Sequence, residues 1–310
     1  MPMNSSFLDN PRSERVRRVA ELSNRKARER AGRFAIEGPQ SVREAVRYAP
    51  GVIRDLYVAC DADRFAGRRS ADDAPVPATF APIVAQALER GIYVHLCDRL
   101  VLDRMSRDAQ GILAVGDVAA MRRDFGALSD DGTAGGDAAD GNATGGAAPD
   151  LVAAFWQVRD PGNAGTVIRA ADAAGCRAVV FVDECVDMLN PKVIRSTAGS
   201  LFHLPVLTMG TDGFLAWCAG RGLRIVAADV YGTPGRRPES LPALLAGEAG
   251  PGAGGEARAV LFGNEARGLP ADILARVDRI VSIPIYGRAE SLNLGTSAAV
   301  MLMSLAMSSR

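Results

Sequence analysis

The stretch Ile283-Pro284-Ile285-Tyr286-Gly287-Arg288-Ala289-Glu290-Ser291-Leu292-Asn293 decides how this chain is read. A strand-like apolar run ends in Pro284 and Gly287, and a polar cluster of Glu290, Ser291 and Asn293 follows at once. Small and apolar residues then predict a helix over 292–307. A helix start rich in small residues admits a ligand close to the backbone, and its free N–H groups bind polar atoms. Alone, the segment is only a well-capped helix.

Two upstream segments repeat the strand–turn–helix form. In Val158-Arg159-Asp160-Pro161-Gly162-Asn163 a strand gives way to a turn, and a helix is expected to start near Asn163, with Arg169 six residues on. That placement puts Asn163 at the cap, where the turn can swing it towards the same opening as Arg169. A plain capping Asn beside a solvated Arg explains this segment equally well. In Val260-Leu261-Phe262-Gly263-Asn264-Glu265, Gly263 permits close approach of a ligand to the backbone. Glu265 lies just beyond a strand's carboxyl end, where α/β proteins bind ligands; a tight turn with a solvated Glu is the bland alternative. There is no Gly-x-Gly-x-x-Gly pattern and no Walker-type loop, which argues against a nicotinamide dinucleotide or a nucleoside triphosphate.

The surrounding chain has 310 residues, enough for two domains with real cores. Residues 127–150 are acidic and Gly/Ala-rich, cannot bury a core, and read as a flexible linker. Shorter loops are expected at 61–77 and 247–256. Before the linker, a basic helical pattern over 12–31 leads into alternating strands and helices of a small α/β domain over 1–126. After it, over 151–310, strands are expected at 151–158, 178–182, 223–228, 259–262 and 279–283. Helices are expected between them at 164–174, 191–198, 212–221 and 271–276. That alternation implies a mostly parallel sheet covered on both faces.

The formal net charge is zero, but residues 1–47 carry eleven Arg or Lys against six acids. A balanced total therefore hides a basic region suited to nucleic acid. The five cysteines are scattered without a Cys-x-x-Cys pair, and His95 and His203 are the only histidines, so buried thiols are expected and no metal. There is no secretory signal and no long apolar run, so the expectation is a cytoplasmic protein with no membrane partner.

Taken together, Asn163-x-Gly165-x-x-x-Arg169, Gly263-Asn264-Glu265-x-x-Gly268-Leu269 and Ile283-Pro284-x-x-Gly287-x-x-Glu290-Ser291-Leu292-Asn293 resemble the motifs of the SpoU/TrmH family of SPOUT-class RNA ribose methyltransferases. The stretch from Asn190 to Pro205 is also similar to that family. In the first half, Asn24–Arg28 and Arg33–Gly38 resemble, more loosely, its N-terminal substrate-binding domain with a small ribosomal-protein-like fold.

The resemblance implies an α/β SPOUT fold with a C-terminal deep trefoil knot. It also implies a homodimer and S-adenosyl-L-methionine as cofactor. The implied activity is methyl transfer to a ribose 2′-hydroxyl of RNA, with ribosomal RNA preferred over transfer RNA because a separate domain precedes the catalytic one. By resemblance Gly263, Ile283 and Leu292 hold the cofactor through their backbones. Arg169 matches the catalytic arginine, and Asn163, Glu265, Ser291 and Asn293 match its polar partners. Arg25, Lys26, Arg28, Arg33 and Arg195 are the candidate RNA contacts. The family often shows Val-Ser after Ser-Leu-Asn, whereas Leu294 and Gly295 follow here, an expected change in local packing. A transfer-RNA enzyme, or a non-catalytic RNA-binding assembly factor that keeps the fold, are the alternative readings.

Overall fold

A computed structural model describes residues 6–66, 75–123, 150–248 and 256–309. The linker reading over 127–150 falls outside these residues except for Asp150, as do most of 247–256 and part of 61–77. The chain forms two compact units, one of residues 1–127 with 187–203, the other of 128–186 with 204–310.

The first unit holds a four-stranded sheet in the order β1-β4-β2-β3. Its strands are β1 (Arg33–Glu37), β2 (Ile53–Ala59), β3 (Tyr93–Cys97) and β4 (Ile112–Asp117). β4 runs antiparallel to both neighbours, and β2 pairs β3 in parallel. The basic N-terminal pattern is not one helix but two, Glu14–Glu21 and Arg25–Ala31. The break has a chemical cause. The Asn24 side chain accepts from the Lys26 N–H at 2.9 Å, which restarts the helix, while Ser13 caps the first one.

Residues 187–203, read from sequence as part of the second half, pack inside this unit. Arg28 is only 3% exposed. Its guanidinium donates to Asp187 at 2.6 Å and to the carbonyls of Leu22 and Ser23 at 2.9 and 3.0 Å. This corrects its reading as an RNA contact, because the buried guanidinium is already committed to Asp187 and two carbonyls. Arg28→Ala would leave Asp187 and two carbonyls unpaired, at an expected cost of roughly 3 kcal/mol by urea denaturation. Arg195 is likewise engaged, pairing with Glu37 and, at 2.9 Å, with Asp108.

Arg33 and Arg54 both pair with Asp117. Burial pushes the Asp117 carboxyl up, but the Ala120 N–H and the two guanidiniums outweigh it and hold it at about 2. A carboxyl held below its usual value stabilises the fold above about pH 4, and that contribution is lost as pH falls through about 2. Asp117→Asn is therefore expected to flatten the acid limb of a stability–pH curve between those values.

The second unit is a seven-stranded sheet in the order β7-β6-β5-β10-β8-β11-β9. The strands are β5 (Leu151–Trp156), β6 (Ala178–Val182), β7 (Val206–Met209), β8 (Arg224–Ala228), β9 (Glu239–Ser240), β10 (Arg258–Phe262) and β11 (Arg279–Ser282). Every pairing is parallel. Such a sheet needs cover, and its strand residues are correspondingly apolar; β5, β6 and β10 are buried along their whole length. β7 and β9 were not expected from sequence, since one has four residues and the other is the polar pair Glu239–Ser240. The chain leaves β5 towards β6 on one side, while β10 and β8 lie on the other. In open α/β sheets that reversal creates a crevice outside the carboxyl ends of the strands.

Candidate active site

Three segments meet at that crevice. The first follows β5. Its helix runs Pro161–Ala173, three residues earlier than expected, because Pro161 takes the first helical position and Asp160 is the cap. Asp160 accepts from the Asn163 N–H at 2.8 Å. Asn163 is thus in the first turn rather than at the cap, and its side-chain amide is left for other partners.

Those partners come from the other two segments. The Asn163 Nδ2 donates to Glu265 Oε1 at 2.8 Å, and Asn293 Nδ2 donates to Asn163 Oδ1 at 3.1 Å. Asn293 in turn caps the helix Leu294–Ser308, its Oδ1 accepting from the Gly295 N–H at 2.8 Å. A continuous chain of hydrogen bonds therefore ties Glu265, Asn163 and Asn293 to a helix start. These residues are separated by 102 and 130 positions in sequence.

Beside this chain lies a cavity of about 360 Å³, within the roughly 300–1,000 Å³ of small-ligand pockets. Gly263, Glu265, Ile283, Ser291 and Leu292 all line it, as does Glu290, to which the sequence assigned no role. Among the lining residues that the sequence reading did not single out, Asp229, Asn264 and Tyr231 carry polar groups. Asp229 follows β8 as Glu265 follows β10, and its Oδ1 accepts from the N–H groups of Tyr231 and Gly232 at 2.9 and 2.7 Å. Asn264 sits inside the second motif, bonds the Gln157 carbonyl at 2.8 Å, and locks its loop by mutual backbone bonds with Gly268. Tyr231 lies at the cavity and is 80% exposed.

Gly263 has a different purpose from the one expected. A Cβ there would lie 2.4 Å from the carbonyl carbon of Gly268, so the glycine closes its own loop rather than making room for a ligand. The departure at Gly295 is also explained. A Cβ would lie 2.6 Å from Thr166 Cγ2, where the helices Leu294–Ser308 and Pro161–Ala173 touch. Gly295→Ser is expected to cost about 1–3 kcal/mol through overpacking. Thr166→Ala in the same chain should restore most of it, which a double-mutant cycle by urea denaturation would read.

Arg169 stands apart from the hydrogen-bonded chain. It is on the exposed face of its helix and has no hydrogen-bond or ion-pair partner among the described residues. The residues present suit S-adenosylmethionine. Ile283, Ile285, Leu292 and Met301 offer apolar walls, and the loops after β10 and β11 offer main-chain groups to a polar ligand. Thiol chemistry is disfavoured, since burial pushes Cys97, Cys176 and Cys218 up to about 12.

Comparison with known proteins gives this arrangement a family. Residues 150–303 match the model of the SpoU rRNA Methylase family, and residues 13–114 match the MRM3-like substrate binding domain. The chain belongs to the SpoU rRNA methylase family. A Bacillus subtilis (strain 168) protein named 23S rRNA (guanosine(2553)-2'-O)-methyltransferase RlmP is 28% identical over 303 residues, spanning 96% of this chain and 98% of its own. The 23S rRNA (uridine(2479)-2'-O)-methyltransferase of Streptomyces viridochromogenes is 32% identical over 48% of this chain and 49% of its own. The fold is that of an AdoMet-bound rRNA methyltransferase from Sinorhizobium meliloti, with a TM-score of 0.71 at 23% identity over 98% of both chains.

Proposed function

We propose that this protein transfers the methyl group of S-adenosylmethionine to a ribose 2′-hydroxyl of large-subunit ribosomal RNA, and that it acts as a homodimer. The observation that carries the reading is the convergence of the three motifs. Glu265, Asn163 and Asn293 form one hydrogen-bonded chain beside a cavity lined by Gly263, Ile283 and Leu292. The choice of ribosomal RNA is supported by the relative that aligns along nearly the whole chain and is named for 23S rRNA.

Bound S-adenosylmethionine supplies an electrophilic methyl carbon; orientation and charge fall to the chain's own residues. Gly263, Ile283 and Leu292 hold the cofactor at the cavity wall. Glu265, Asn163 and Asn293 fix one another's amide and carboxylate orientations, which prevents the site from collapsing or rotating away from the reacting ribose. A guanidinium offers only donors, so Arg169 acts by holding the adjacent phosphate and stabilising the developing alkoxide.

Two features support the dimer. Arg169 is exposed with no hydrogen-bond or ion-pair partner among the described residues, and Val300 and Met307 are exposed at 39% and 67% on the neighbouring helix. A second copy would cover that apolar stripe and bring Arg169 to the partner's cavity. The trefoil knot implied by the family resemblance belongs to the same proposal, supported by the loops after β10 and β11 meeting at one cavity.

The test is to delete the gene and map 2′-O-methyl sites across ribosomal and transfer RNA. Loss of one site in 23S rRNA, restored by purified protein with S-adenosylmethionine, is expected. Loss of no site overturns the enzymatic reading, and loss of a transfer-RNA site overturns the substrate.

A further inference from the structure

The first unit contains a second large concavity that none of the motifs predicts. It is a groove of about 930 Å³, walled by the helices Glu14–Glu21 and Arg25–Ala31 and lined from the sheet by β1, β2 and β4. Five arginines line it, Arg15, Arg17, Arg18, Arg30 and Arg33, against three acids, Glu14, Glu21 and Asp55. Arg17, Arg18 and Arg30 keep side-chain exposures of 67%, 72% and 78%, and their ion pairs with Glu21 and Glu14 are solvent-exposed. Exposed pairs of this kind contribute little, so a phosphate can displace the acid at small cost.

The lining carries a different kind of group. Asp55 Oδ1 is 2.7 Å from His95 Nε2, and Arg15 Nη1 is 3.3 Å from His95 Nδ1. A guanidinium only donates, so Nδ1 accepts and the ring proton sits on Nε2, directed at Asp55. His95 is 4% exposed and stacked on buried Tyr57 at 5.0 Å, which fixes the whole arrangement. Asp55 is thereby held by one oxygen, and its Oδ2 has no hydrogen bond among the described residues. A fixed acceptor in a basic groove has no use for a bare phosphate; it suits an N–H donor carried by a phosphate chain.

We propose that this groove binds a single-stranded segment of the substrate RNA, with Arg17, Arg18 and Arg30 on phosphates and Asp55 reading the Watson–Crick edge of a guanine. Guanine presents N1–H and the 2-amino group side by side, the pair that a carboxylate accepts together. The inference rests on the RNA-modifying reading above. Of the candidates chosen by sequence, Arg33 lines the groove, whereas Arg28 and Arg195 are committed inside the unit; what Asp55 and His95 add was not foreseen.

The experiment uses the full chain. Methylation kinetics on transcribed 23S rRNA are compared for wild type and the Arg17→Ala/Arg30→Ala double variant. KM should rise about tenfold with kcat kept, and the salt dependence of RNA binding should lose about two phosphate contacts. Separately, binding of a guanine-containing single strand is compared with its inosine counterpart, which lacks the 2-amino group. Wild type should prefer guanine by about tenfold, and Asp55→Asn, which still accepts from His95, should abolish that preference. Unchanged KM and salt slope in the double variant would overturn the groove as an RNA site. Equal binding of guanine and inosine by wild type would overturn the role of Asp55. Either result leaves the activity standing, whereas a wild-type protein that does not methylate 23S rRNA removes the reading on which the inference rests.

Discussion

Arg169→Ala is expected to slow methyl transfer by roughly 10²–10³-fold while leaving the affinity for S-adenosylmethionine within about twofold, as measured by single-turnover methylation and by calorimetry. The split follows from where Arg169 stands. It is on the exposed face of the helix Pro161–Ala173, away from the hydrogen-bonded chain, and has no partner to lose among the described residues. Its removal therefore leaves the cavity wall intact and deletes only a positive charge needed when the 2′-oxygen becomes anionic. A further result separates action on the same subunit from action on the partner. At an S-adenosylmethionine concentration too low to load the Gly263→Ala pocket, subunits carrying Arg169→Ala, mixed with subunits carrying Gly263→Ala, should recover about a quarter of wild-type activity. Half of the dimers would then be mixed, each with one intact composite site. No recovery would place Arg169 in its own subunit's site.

Gly263→Ala is expected to do the reverse, weakening S-adenosylmethionine binding at least about tenfold, or about 1.4 kcal/mol. The new Cβ would lie 2.4 Å from the Gly268 carbonyl carbon and 2.7 Å from the Leu269 nitrogen. Both obstacles are backbone, so no rotamer change relieves them. The loop must open, and with it the wall that carries Asn264 and Glu265. Overpacking of this kind should also cost about 1–3 kcal/mol of stability. Gly287→Ala is the control, since a Cβ there meets nothing within 4 Å. Its affinity should stay within about twofold of wild type, as read by calorimetry. Equal losses in the two variants would mean that the third segment, not the Gly263 turn, sets the shape of the wall.

Much of the second unit was legible because its chemistry is local. Asn163, Glu265 and Asn293 each follow a strand–turn step that periodicity alone reveals, and the structure brings all three together. What failed did so for identifiable reasons. Asn163 was taken for a cap although Pro161 marks the first helical position and hence Asp160 as the cap. Gly263 was read as space for a ligand, because a sequence cannot say that the carbonyl of Gly268 already fills it. Arg28 reads as a solvated cation in any helical pattern; its burial depends on Asp187, 159 positions away. Asp55 and His95 carried no motif at all, since their meaning arises from adjacent strands that pair Tyr57 with His95 in register.

The packing of residues 187–203 within the first unit has a consequence for how such genes can be shuffled. A cut between residues 126 and 151 looks like a natural seam. Yet a first half taken alone would forfeit Asp187, Arg195 and His203, the partners of Arg28, Glu37 and Glu44. A chimera that joins this N-terminal half to a foreign catalytic half inherits those three buried or half-buried charges with strangers opposite them. Heritable exchange of substrate preference between relatives should therefore require two separated blocks to travel together. A single crossover between residues 126 and 151 should yield protein that folds poorly, however well the motifs are preserved.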